Sequence, residues 1–141
     1  MKNFKVLLFL TLTAVFSCSE SDDNIIDLEG KVFNLEDNSD EICDDSRLND
    51  PNYTGVICCT QRNSDFNSNN IVEYEYFTNI SNPNILWEVK SGDIKIISEN
   101  NAEKVTIMIG ENFDEGSIFV LGSSDNDNSA CGHTIFIKNN I

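Results

Sequence analysis

The chain has 141 residues, 24 of them acidic and nine basic, for a formal net charge of −15 at pH 7. That length sets one domain as the expectation. The charge argues against nucleic acid and anionic lipid head groups as partners, because like charges repel.

Met1 to Ser17 stands apart from the rest. It has a basic start (Lys2, Lys5), an apolar run from Val6 to Phe16, and the small residue Ser17 before Cys18. The apolar run is too short for a permanent transmembrane helix, so it reads as a cleaved secretory signal. Val15-Phe16-Ser17-Cys18 resembles a bacterial lipobox, with Phe16 in place of the small residue common there. The resemblance implies that Cys18 carries a thioether-linked lipid and an acylated amino group. Two acyl chains suffice for stable attachment, at about 0.8 kcal/mol per buried methylene. Cleavage after Ser17 would remove two lysines and no acid, leaving seven basic residues against 24 acidic ones, or −17. Ser19-Glu20-Ser21-Asp22-Asp23 is similar to the acidic surface-export tag of Bacteroidota-type lipoproteins; the bland alternative is an acidic linker. Together these place the protein at the outer membrane, lipid-anchored, with the cell surface favoured over the periplasmic face. Residues 18–30 read as a polar tether and 31–141 as the folded domain, best supported from 54 onward.

Lys31 to Leu35 reads as a short first strand, and Glu36 to Tyr53 as a long loop dense in Asp and Asn. Such a loop within a compact domain is functional, pinned by a disulfide, or poorly ordered. Thr54 to Gln61 reads as a strand. Ile71 to Thr78 alternates, with Val72, Tyr74 and Tyr76 on one face and Glu73 and Glu75 on the other. Five further apolar runs follow: Ile85–Val89, Ile94–Ile97, Val105–Ile109, Ser117–Leu121 and His133–Ile137. Turn residues separate them, and no segment has a helical period. The pattern is that of an all-β, antiparallel sandwich of about seven strands. Trp87, between Ile85 and Val89 on one face, is expected in the core; the functional alternative is an exposed sugar-stacking platform.

Trp87-Glu88-Val89, Ser91-Gly92, Ile94 and Ile96, Val105-Thr106-Ile107 with Gly110, Phe113, Gly116 to Val120 and Cys131-Gly132 together resemble the PKD-like domains of bacterial secreted and surface proteins. Ile85-Leu86 stands where that family has a Tyr before the Trp. The resemblance implies an immunoglobulin-like sandwich and speaks to fold, hardly to function.

Four cysteines besides Cys18 remain: Cys43, Cys58, Cys59 and Cys131. An even number in an oxidising compartment predicts two disulfides. Adjacent Cys58 and Cys59 point to opposite faces of a strand. Cys43 therefore takes one of them and Cys131 the other, which leaves two connectivities. A metal site is the rival, but the chain has one histidine, His133, and no Cys-x-x-Cys.

Asp125-Asn126-Asp127-Asn128-Ser129 lacks the Gly and distal Glu of a calcium loop and reads as a polar hairpin. Asp40, Glu41, Asp44 and Asp45 form a second acidic group of the same ambiguity. No nucleophile elbow, second histidine, phosphate loop or basic patch occurs. No acidic pair is singled out for glycoside hydrolysis. The expectation is a non-catalytic module without cofactor or metal, binding an envelope protein or glycan. The alternative is an accessory subunit of an outer-membrane assembly. Its contact surfaces are expected in the loops Asp40–Asn52, Asn63–Asn70 and Ser123–Ser129.

Overall fold

Strands form where apolar side chains recur at every second residue, because a pleated strand then buries one face and wets the other. The computed structural model describes residues 33–39, 43, 45–63, 70–126 and 128–140. Among these lie eight strands: β1 (Leu35–Asp37), β2 (Cys58–Arg62), β3 (Ile71–Thr78), β4 (Asn84–Ser91), β5 (Ile94–Ile96), β6 (Lys104–Ile109), β7 (Glu115–Ser123) and β8 (Ala130–Asn139). They make two four-stranded sheets, ordered β1-β8-β7-β4 and β2-β3-β6-β5, with every neighbour antiparallel. The protein is an all-β sandwich.

The core lies between the sheets. Val72, Tyr74 and Tyr76 of β3 and Val105, Ile107 and Ile109 of β6 meet Ile85 and Trp87 of β4, Ile118 and Val120 of β7, and Ile135 and Ile137 of β8. Trp87 is 1% exposed, which removes the sugar-platform alternative. Its indole N–H donates to the Ala102 carbonyl at 2.9 Å, and its ring meets Tyr76 edge-on at 6.5 Å. Tyr76 in turn packs against Gly122, where an added Cβ would be 2.7 Å from the ring. The register of β4 on β7 shifts between Val89 and Ser91, and Gly92 follows with φ +87°.

Two readings need correction. Of the strand expected at Lys31–Leu35, Lys31 and Val32 lie outside the described residues, Phe33 and Asn34 are not in a strand, and β1 runs Leu35–Asp37; the 54–61 strand begins only at Cys58. In β1 the register sets Leu35 and Asp37 opposite Asn139 and Ile137 of β8. The inward place of the apolar pattern is thus taken by a carboxylate, which broke the alternation. The Asp37 side chain is 2% exposed. It accepts from Tyr74 Oη at 2.7 Å, Arg62 Nη1 at 2.9 Å, and the Ser39 N–H at 2.9 Å and hydroxyl at 2.5 Å. A buried charge this well supplied with donors is tolerated and ties β1 to β2 and β3 across the sandwich.

The disulfides are Cys43–Cys59 and Cys58–Cys131, with Cα atoms 6.0 and 5.9 Å apart. Cys58 shares the inward side with Thr60 and Arg62, so it reaches β8 of the other sheet. Cys59 points outward and holds Cys43, the pin expected for the long acidic loop. Further along that loop a short 3-10 helix, Ser46–Asn49, is capped by the Asp45 side chain, which accepts from the Arg47 N–H at 3.0 Å.

Candidate binding cleft

Strand β3 outruns its neighbour. Its pairing with β6 ends at Glu75↔Lys104, and one more bond follows, from the Tyr76 N–H to the Glu103 carbonyl at 2.8 Å. Phe77 and Thr78 continue on β2, opposite Cys59 and Cys58. On their other side no strand lies among the described residues, because the β5–β6 connection swings toward β4. There the Trp87 N–H donates to the Asn100 carbonyl at 2.7 Å, and the indole holds Ala102. This diversion covers the edge of β4 and opens a cleft of about 620 Å³ beside β3. Small-ligand sites span about 300–1,000 Å³.

One wall is Glu75 to Thr78; another is Asn101, Ala102 and Glu103; the third is the β3–β4 turn with Ile80, Asn82 and Pro83, together with Ile85 of β4. The turn is anchored. Asn79 Oδ1 accepts from the Ile57 N–H at 3.0 Å, and Asn79 Nδ2 donates to the Gly55 carbonyl at 2.8 Å. Asn82 takes φ +47°, a conformation Asn adopts more readily than most residues. Tyr76, Ile80 and Ile85 are buried and supply the apolar part. The Tyr76 hydroxyl donates to the Cys131 carbonyl at 2.7 Å, and burial pushes its pKa up. At the rim stand two amides, Asn82 and Asn101, and two carboxylates, Glu75 and Glu103; no lysine or arginine lines the cleft among the described residues. Glu75 accepts from Asn63 Nδ2 at 2.6 Å and lies 3.4 Å from Lys104 Nζ.

The expected contact loops fare differently. Cys18, Asp40, Glu41, Asp44, Asp127 and most of Asn63–Asn70 lie outside the described residues. Asp45 is engaged by Arg47 in an ion pair, which holds its carboxyl below the usual range. In the 123–129 loop the Ser124 N–H donates to the Ser129 carbonyl at 2.9 Å, and Asp125 accepts from Asn84 Nδ2 at 2.9 Å. Among the described residues no three His, Cys, Asp or Glu side chains form a metal cluster. His133 faces the interior, and its Nε2 and the Thr60 hydroxyl are buried without a hydrogen-bond partner among the described residues.

The cleft was missed at the level of sequence. Its one legible sign is that the alternating run of β3 spans eight residues and that of its partner β6 only six. Comparison with known proteins adds no name: no family model matches the chain, and no curated protein or solved structure does either.

Proposed function

We propose that this chain is a lipid-anchored envelope lipoprotein whose PKD-like sandwich binds a partner and catalyses no reaction. The observation that carries the binding reading is the lateral cleft, a preformed concavity with an apolar interior and a polar rim. Its walls are held by the Trp87 and Asn79 contacts and the sandwich is stapled by two disulfides, so little ordering is left for a ligand to cost. The disulfides agree with an oxidising compartment, and Cys18 with its acidic followers supplies the anchor and the surface address.

A second reading, an accessory subunit of an outer-membrane assembly, draws on the outward face of the β1-β8-β7-β4 sheet. Leu86 is 42% and Phe136 62% exposed there.

The test uses the full chain in detergent against envelope extracts and a glycan panel, beside Asn101→Trp, an exposed position on the cleft wall. Retention abolished by Asn101→Trp supports binding at the cleft; retention unchanged by it, or none at all, refutes it. Protease treatment of intact cells, with Cys18→Ser as the unanchored control, tests location. Digestion in intact cells places the domain outside, and protection until the outer membrane is opened faces it to the periplasm.

A further inference from the structure

We infer that the occupant of the cleft is an extended, basic polypeptide segment that pairs with the open edge of β3 in the line vacated by β6. The inference rests on the binding reading above and names its ligand class. A groove on one face of a sheet is lined by every second residue, because successive side chains point to opposite faces. This cleft is lined by four consecutive residues, Glu75, Tyr76, Phe77 and Thr78. It therefore runs along the strand's edge.

The backbone there is set for pairing. Asn63 and Ile57, on the β2 side, bond the main chain of Glu73 and Asn79, while Asn70 and Tyr76 bond Ile109 and Glu103 on the β6 side. By that alternation Thr78 directs its N–H and carbonyl at the cleft. A strand edge of this kind is recognised by an added strand, whose main chain supplies hydrogen bonds and whose alternate side chains supply selectivity. The two sides of the cleft differ accordingly. Inward, Tyr76, Ile80 and Ile85 accept an apolar side chain; at the rim, Glu103 favours a cation, beside Glu75, which already meets Lys104. A glycan's hydroxyls can reach the same groups, but they lack the regular N–H and carbonyl repeat with which a strand pairs in register. Past Tyr76, whose N–H is taken by Glu103, the open edge runs over Phe77 and Thr78, about 7 Å, room for two residues of a partner.

The probe is an acetylated, amidated hexapeptide alternating lysine and valine, added to the isotope-labelled full chain in detergent and followed by amide NMR and hydrogen exchange. The expected result is slowed exchange at the Thr78 amide and shifts confined to Tyr76–Thr78 and Asn101–Glu103. A glutamate-valine peptide and a version N-methylated at alternate residues are expected to leave these signals unmoved. Glu103→Lys is expected to weaken binding about fivefold at low salt, as for a single rim charge. Unchanged Thr78 exchange, or equal protection by the N-methylated peptide, overturns the inference. If oligosaccharides shift the cleft amides and the peptide does not, the inference falls and the binding reading stands. If neither does, both fall.

Discussion

Removing the Cys58–Cys131 bridge is expected to cost more than removing Cys43–Cys59, and the difference follows from the loops they close. In the chain-entropy account a cross-link stabilises by restricting the unfolded chain, as the logarithm of loop length. The separations are 73 and 16 residues. These correspond to about 4.4 and 3.1 kcal/mol at 25 °C, a gap of about 1.3 kcal/mol that depends on the loop lengths alone. Packing adds in the same direction, since Cys58 lies against the core. The experiment compares Cys58→Ala/Cys131→Ala with Cys43→Ala/Cys59→Ala by urea unfolding without reductant, with equal slopes required for a fair comparison. A domain of this size has about 5–15 kcal/mol in total, so either loss moves the midpoint visibly. Equal losses, or a larger loss for Cys43–Cys59, would refute the reasoning.

Asp37→Ala is expected to destabilise by about 3–5 kcal/mol, because it strips the carboxylate from partly buried Arg62 and buried Tyr74. Urea unfolding measures it, and a loss under 1 kcal/mol would mean the cluster is not a clamp. Trp87→Ala is expected to cost about 3–5 kcal/mol and to speed exchange around Ala102, whose carbonyl the indole holds. Circular dichroism and exchange report the two effects, and intact protection of that loop would contradict the account of the cleft wall. Burial, then the neighbouring Asp37 charge, raise the Tyr74 pKa above its ordinary 10.0. The folded state thus favours the neutral phenol. Its contribution is fully present below about pH 10 and is lost as pH rises further, where unfolded tyrosine ionises first. Stability titrated from pH 8 to 11 is expected to fall, and Tyr74→Phe to flatten the fall; an unaltered slope would count against it.

Strand β3 was legible in full because one rule, burial of one face, wrote itself into Val72, Tyr74 and Tyr76 at every second position. The core place of Trp87 was legible for the same reason. Asp37 was not. An inward charge is permissible only with partners, and Arg62 and Tyr74 are 25 and 37 residues away along the chain.

Periodicity, turn chemistry and cysteine parity are local quantities, and they determined an all-β sandwich with two disulfides. Which cysteines pair depended on which face each one turns: Cys58 to the sister sheet and Cys59 to the acidic loop. The cleft depended on more distant events still. It exists because β6 starts late against β3 and because Trp87 draws residues 100–102 across to β4. Neither relation is carried by any one segment. Register between strands and the path of a loop are set by contacts made only once both sheets have met.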